Sequence, residues 1–544
     1  MEKINIIKSN NNWSPVEGET SNQLLNRLDI EQEEREILRK ETIKILSSCG
    51  DPENRKESIT GLVFGHVQSG KTMSFTNLIA LAIDNGYKII IVISGTTTEL
   101  SKQTYDRLRD DLNIDNNPNL KIESNPENGN TSIQNTINSW VDKKTPNMFK
   151  EVLLITALKN PSPLKKILKI FNKTDTKKLP ILIIDDEADQ ASLNIFARTN
   201  AIKNEDRKST IYDCITKLKN IIPNHAFVQY TATPQAPIFI NTIDMLSPNF
   251  VELVSPGQDY IGGKEFFDKY KNKLVVNIPP RDIGVDKIPK SLQEAMMFYF
   301  VGASYIIKKG IKKMTSMMVH PHIKKIEHKK YYDLILQQKN HWKSVLERND
   351  KDNAKIKLIR KFTEILDVLN VKNTNYKETL DTIPYLIART KVTELNSDTK
   401  NKLNWNSAHS HILIGGTKLD RGFTVKNLTV SYMPRSKGVG NADTIQQRAR
   451  FFGYKKDYLN FCRVYLEEEV SELFTKYVKH EESLKEGFKE WKESGKPVSQ
   501  LDRYFILDKN LKPTRINVLS ESPFRDEIGN DRWFQIRAPH DSVN

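Results

Sequence analysis

The sequence predicts an α/β protein of two lobes, each built on a mainly parallel sheet, with a helical insert and helical terminal segments. Three observations lead there: apolar, β-branched runs recur between amphipathic stretches; a glycine-rich loop joins the first run to a helix; and a second series of runs starts beyond residue 310. Unbroken runs of this kind are buried on both faces, as in parallel strands covered by helices. At 544 residues the chain also exceeds one ordinary core.

In chain order, residues 1–50 read as a polar helical segment, with "IEQEEREILRKETIKILSS" carrying apolar residues at helical spacing. The first lobe spans 51–245, with strands expected at "GLVFG", "KIIIVIS", "VLLIT", "ILIIDD" and "AFVQYTAT". A connecting segment, 246–310, holds the turn chemistry of "SPGQDYIGG" and a helix at "SLQEAMMFYFVGAS". The second lobe spans 311–475, with strands at "TSMMVH", "HILIGG", "LTVSYM" and "CRVYL", and a Lys- and Glu-rich helical insert at about 325–400. The tail, 476–544, begins as a charged helix and ends irregularly.

Composition bounds the function. Hydrophobic residues at 38% and charged residues at 28% describe a folded, water-soluble chain, and no apolar run reaches the roughly 18 residues of a membrane span. The N-terminus lacks the apolar core of a signal peptide, and Cys49, Cys214 and Cys462 show neither metal-ligand nor disulfide spacing, so a cytoplasmic location is expected. The net charge of +15, from 83 basic and 68 acidic residues, draws polyanions, nucleic acid first. A lysine-rich composition gives the same total without any partner.

Gly65-His66-Val67-Gln68-Ser69-Gly70-Lys71-Thr72 matches G-x-x-x-x-G-K-[ST] between a strand and a helix. Glycines let backbone N–H groups wrap phosphates, and the helix N-terminus adds its positive end. Lys71 would reach the β- and γ-phosphates of ATP and Thr72 would hold Mg²⁺, while Gln68 and Ser69 shape the loop. Such a loop needs a carboxylate for the metal and another for the attacking water. "ILIIDDEAD" supplies both at a strand end: Asp186 for Mg²⁺ and Glu187 for the water, with Asp185 and Asp186 separated by a single residue of register.

The letters D-E-A-D at 186–189 bring in a resemblance: the chain looks like a superfamily 2 helicase-type ATPase with two RecA-like lobes. Thr97, Glu99, Leu100 and Gln103 of "TTTELSKQ" match a nucleic-acid-contacting motif of that superfamily, and Thr231 and Thr233 of "TAT" match its coupling motif. "GGTKLDRGFTV" resembles the fifth motif, which implies contacts from Thr417, Arg421 and Gly422, and "QQRARFFGY" resembles the arginine-bearing sixth. There Arg450 is the first choice for the finger on the γ-phosphate and Arg448 the second; Gly453 stands where a further arginine is usual.

A narrower resemblance covers about 60–470. "GHVQSGKT", "DDEAD", "YTATPQA", "PGQDYIGG", "GGTKLDRGFTV" and "RFFGYKKDY" together resemble the Z-one domain family, whose members are sometimes labelled endonucleases. Where that family usually reads Q-M-G-R-W-F-G-Y-R, Gln447, Arg450, Phe452, Gly453 and Tyr454 match; Arg448, Ala449, Phe451 and Lys455 replace its Met, Gly, Trp and Arg. The resemblance implies an ATP- and Mg²⁺-dependent motor on nucleic acid, DNA favoured. It also implies a setting in bacterial restriction-like, anti-phage defence, with a nuclease, a methyltransferase or a GHKL ATPase as partner proteins. A nuclease subunit and a nucleotide-gated DNA-binding scaffold are the alternatives. No cleavage centre is legible: Glu490-Trp491-Lys492 lies in a charged helix, and the pairs His320/His322 and His409/His411 lack a third ligand.

Overall fold

The computed structural model describes residues 13–54, 57–240, 244–284, 286–369, 376–396, 403–420, 424–434, 442–496 and 498, and within the tail 504–508, 514, 516–519, 524–528 and 533–537. Helices α1 (Glu19–Arg27) and α2 (Gln32–Ser48) open the fold. They lean on α3 (Lys71–Asp84), where the amide of Asn77 donates to Thr42 and the carboxylate of Asp84 accepts from the backbone of Gly18, Thr20 and Ser21.

The first sheet has seven parallel strands in the order β3-β4-β2-β5-β6-β1-β7. They are β1 (Ile59–Gly65), β2 (Ile89–Ser94), β3 (Leu120–Ser124), β4 (Val152–Leu158), β5 (Ile181–Asp186), β6 (His225–Thr231) and β7 (Phe250–Val254). Every residue of β2 and β6 is buried, as apolar central strands require. Two members lie outside the expected runs. β3 is an edge strand whose Lys121 and Glu123 interrupt the apolar pattern, and β7 sits inside the expected connecting segment.

The second sheet has six parallel strands in the order β11-β12-β10-β13-β15-β9. These are β9 (Val275–Asn277), β10 (Thr315–Val319), β11 (Lys391–Leu395), β12 (Ser410–Gly415), β13 (Leu428–Met433) and β15 (Arg463–Leu466). The chain is thus an α/β protein with two parallel-sheet lobes. Helices Lys325–Leu346, Asn353–Val368 and Tyr376–Arg389 form the insert. They bury Trp342, Phe362 and Ile387 against helix Lys290–Lys308, so the insert covers one face of the second sheet.

The tail differs from expectation. Helix Glu468–Glu493 starts earlier than 476, and strands β16 (Tyr504–Asp508), β17 (Phe524–Ile528) and β18 (Trp533–Arg537) then pair antiparallel. Their aromatic and β-branched content favours strands over irregular chain. Helix Glu468–Glu493 also crosses to the first lobe, where Phe488 meets Phe64 of β1 at 4.9 Å between ring centroids and Lys492 pairs with Glu252 of β7. Among the described residues no helix is long and apolar enough to cross a membrane.

Candidate nucleotide site between the two lobes

In parallel α/β sheets the carboxyl ends of the strands carry the site. β1 ends in the glycine-rich loop and β5 in the acidic run, with β6 between them, so loop and carboxylates stand side by side across one strand. Gly70 precedes α3 at φ +93°, a left-handed value that glycine adopts without strain. Lys71 is buried and its Nζ donates to the carbonyl of His66 at 3.1 Å, which closes the loop around its own ammonium. Ser69 Oγ donates to the same carbonyl at 2.9 Å. The loop, the N-terminus of α3 and this lysine form a cradle with the shape and charge that phosphates require.

The Asp185/Asp186 register resolves through strand alternation. Asp185 points into the core, where it is fully buried and paired with the ammonium of Lys159 at 2.8 Å. Asp186 and Glu187 line the cleft with Lys71 and Thr72. Burial, followed by the charge of Glu187, pushes the Asp186 carboxyl up to about 7; a cation placed between it and Thr72 would favour its ionised form. Glu187 stands at φ +53°, unusual for a side chain of its type. Lys159 holds this turn, because its Nζ also donates to the carbonyls of Asp186 (2.7 Å) and Glu187 (2.9 Å).

The facing wall comes from the second lobe. A cleft of about 560 Å³ is lined by Gln68 to Thr72, Asp186 and Glu187 on one side and by Gln447, Arg450 and Phe452 to Lys455 on the other. Arg450 therefore shares the cavity with the carboxylates, whereas Arg448 is buried and does not line it. Gln447 Nε2 donates to Asp189 at 2.7 Å, and the other oxygen of that carboxylate accepts from Thr231 Oγ1 at 2.7 Å. Thr233 joins through its N–H to Thr231 Oγ1 at 2.9 Å, so the last letter of D-E-A-D links the T-A-T stretch to the other lobe. A second cavity of about 430 Å³ on the outer side of Ser69 and Gly70 is walled by Glu34, Glu41, Met73 and Asp259.

The nucleic-acid candidates scatter. Thr97 caps helix α4 (Thr98–Asp111), accepting from Leu100 N at 3.4 Å, and Gln103 on α4 lines the cleft. The side chain of Thr417, and Arg421 and Gly422 entirely, lie outside the described residues. Nearby, Lys418 bridges the lobes to Glu99 at 3.3 Å. Among the described residues no group of three or more His, Cys, Asp and Glu could hold a metal ion; His322, His409 and His411 engage the backbone, as when His411 Nε2 meets the carbonyl of Ala408 at 3.0 Å.

Three features escaped the sequence reading. Lys159 carries no motif, because its role depends on contacts from β5. His66 meets Lys485 of helix Glu468–Glu493, Nδ1 to Nζ at 3.1 Å; burial, with Lys485 and Lys71 adding to it, lowers its pKa to about 3. Two tyrosines also reach the loop: Tyr260 donates to the carbonyl of Val67 at 2.7 Å and Tyr454 to that of Ser69 at 2.9 Å. Burial raises the pKa of both hydroxyls, which stay protonated as donors.

The comparison with protein families matches residues 291–504 to one model, described as the Z1 domain. That stretch of the chain is similar to the Z1 domain. The match begins in the helix before β10 and ends in β16, so it takes in every strand of the second sheet except β9, and helix Glu468–Glu493, while β9, the glycine-rich loop and D-E-A-D lie before it. No curated protein sequence matches the chain. Solved structures that resemble it include the DUF1998 helicase MrfA bound to DNA and AMPPNP, at TM-score 0.40 and 13% identity over 85% of this chain and 52% of that one. MrfA bound to DNA gives 0.39 and 13% over 83% and 50%, so the chain spans about half the MrfA length. Pyrococcus furiosus Hef helicase domain gives 0.35 and 13% over 80% and 96%.

Proposed function

We propose that this protein is an ATPase that works on nucleic acid, DNA favoured, as a helicase-like motor of superfamily 2. The observation that supports this most is the single cleft in which the cradle around Lys71, the carboxylates Asp186 and Glu187, and Arg450 of the opposite lobe meet. Nucleic acid as the track draws on the "TTTELSKQ" and "GGTKLDRGFTV" resemblances and on the charge of +15.

In this reading the phosphates of ATP lie on the loop amides and Lys71, and the nucleoside end reaches the cavity beside Glu34. Thr72 and Asp186 fit a hard divalent cation, since both offer oxygen ligands next to the phosphate cradle. When bound, Mg²⁺ supplies charge neutralisation on the β- and γ-phosphates. Glu187 orients a water and takes its proton as the water oxygen bonds to the γ-phosphorus and the bond to the β–γ bridging oxygen breaks, leaving ADP and phosphate. Arg450 stabilises the charge on the transferring group, which requires the lobes to be together. Asp189, Thr231 and Gln447 carry the change in lobe position to the rest of the fold.

The finer reading, a subunit of a bacterial restriction-like or anti-phage system beside a nuclease, methyltransferase or GHKL ATPase, rests on the motif resemblance. A nuclease would be such a partner: Lys492, the one lysine of the E-W-K stretch, is engaged by Glu252. The deciding experiment is steady-state ATP hydrolysis by the purified chain, alone and with single-stranded DNA, double-stranded DNA or RNA, against Glu187→Gln. Stimulation by one polymer, lost in the variant, supports the motor and names its track. Hydrolysis indifferent to every polymer overturns it in favour of a nucleotide-gated scaffold.

A further inference from the structure

Two stretches serve no step of the proposed reaction: "PGQDYIGG" in the connecting segment and "FFGY" after the arginine-bearing helix Ala442–Arg448. The structure brings them together. β8 (Tyr260–Ile261) pairs antiparallel with β14 (Gly453–Tyr454), and the rings of Tyr260 and Tyr454 meet edge to face at 6.0 Å. This two-stranded ribbon lies against the glycine-rich loop. Tyr260 Oη donates to the carbonyl of Val67 (2.7 Å) and Tyr454 Oη to that of Ser69 (2.9 Å), while the N–H of Gly257 donates to Tyr454 Oη at 3.1 Å. Gln68, between the two held carbonyls, reaches back: its amide faces the carbonyls of Phe452 at 2.9 Å and Arg450 at 3.3 Å, to which the nitrogen donates when the amide is turned over.

A trans peptide sets its C=O and the following N–H in opposite directions. Holding the Val67 carbonyl on Tyr260 therefore sets the N–H of Gln68 on the opposite side of its peptide, and holding the Ser69 carbonyl on Tyr454 does the same for the N–H of Gly70. Backbone N–H groups held in fixed directions within a glycine-rich loop are what an anion-binding concavity is built from. The packing leaves little slack, since a Cβ on Gly257 would fall 2.1 Å from a Glu34 oxygen and 2.9 Å from the Tyr454 ring.

We propose that Tyr260 and Tyr454 are positioning residues of the nucleotide site: their hydroxyls fix the Val67 and Ser69 carbonyls of the glycine-rich loop, and by bridging the connecting segment to the second lobe they make the cradle complete only when the arginine-bearing lobe is docked. The inference rests on the nucleotide-site reading above. It also gives "PGQDYIGG" and "FFGY" one shared task.

The test is equilibrium binding of N-methylanthraniloyl-ATP, and its displacement by inorganic tripolyphosphate, to the full chain and to the single variants Tyr454→Phe and Tyr260→Phe. Phenylalanine keeps ring and packing and removes only the hydroxyl; thermal unfolding checks that each variant is folded, and either one alone decides the question. A lost neutral hydrogen bond of this kind weakens binding roughly threefold to tenfold. Equal weakening for the fluorescent nucleotide and for tripolyphosphate is expected, because the cradle touches phosphates alone. Unchanged binding in a folded variant overturns the inference, as does weakening for the nucleotide without weakening for tripolyphosphate. A wild-type chain that binds neither ligand instead sinks the nucleotide-site reading itself.

Discussion

Replacing Lys159 by methionine isolates the buried pair behind the acidic turn. The lysine is 2% exposed and its partner Asp185 0%, so the substitution leaves a carboxylate in the core with neither water nor counter-charge. Removing one partner of such a pair costs about 3–5 kcal/mol. For a lobe of this size each kcal/mol moves the melting temperature by about 2–4 °C, which makes a drop of roughly 6–20 °C. The assay is thermal unfolding of the ligand-free chain, followed by ATP hydrolysis at a temperature where both proteins are folded. The double variant Lys159→Met with Asp185→Leu removes both charges and recovers part of the stability. It does not recover hydrolysis, because the carbonyls of Asp186 and Glu187 still lack the ammonium that held the turn. A single variant that melts within about 2 °C of wild type, or a double variant with full hydrolysis, refutes the reasoning.

Other substitutions probe separate links. Arg450→Ala lowers kcat by about 10³-fold while ATP still binds, as loss of a transition-state arginine does; Arg448→Ala acts through folding and shows in the melting temperature instead. Gln447→Ala unties Asp189 from the second lobe, so kcat falls with little change in KM for ATP. Lys418→Ala breaks a half-exposed cross-lobe pair with Glu99 and costs about 0.5 kcal/mol at low salt and less at high salt. His66 gives a pH signature: its folded pKa of about 3 lies below the ordinary 6.5, so the unfolded chain takes up the proton first. Its contribution to stability is present above about 6.5 and is lost as pH falls toward 3, and denaturant unfolding of His66→Asn across this window shows a shallower acid decline.

Much of this was legible in local pattern. β1, β2, β4, β5 and β6 announce themselves because both faces are covered and the runs are unbroken; β3 and β11 escape because edge strands tolerate Lys121, Glu123, Lys391 and Glu394 between their apolar residues. The glycine-rich loop and the acidic run could be placed at strand ends because their pattern is set by neighbours in sequence. Asp185 could not be told from Asp186, since one step of register decides which carboxylate meets Lys159 and which the cleft. Lys159, Tyr260 and Tyr454 were illegible for a common reason: each acts on backbone that arrives from a distant part of the chain, and no spacing rule encodes that meeting.

Helix Glu468–Glu493 has a further consequence for how the protein is made. It lays Phe488 on β1, sets Lys485 against His66 and pairs Lys492 with Glu252, all on the lobe that leaves the ribosome first. The early lobe can collapse during synthesis, but Phe64 of β1 gains its Phe488 contact only once helix Glu468–Glu493 has emerged. A chain cut short after the second sheet therefore lacks these contacts and leaves apolar surface for chaperones and proteases to find. The part of the sequence that is translated early is, in the order of assembly, finished last.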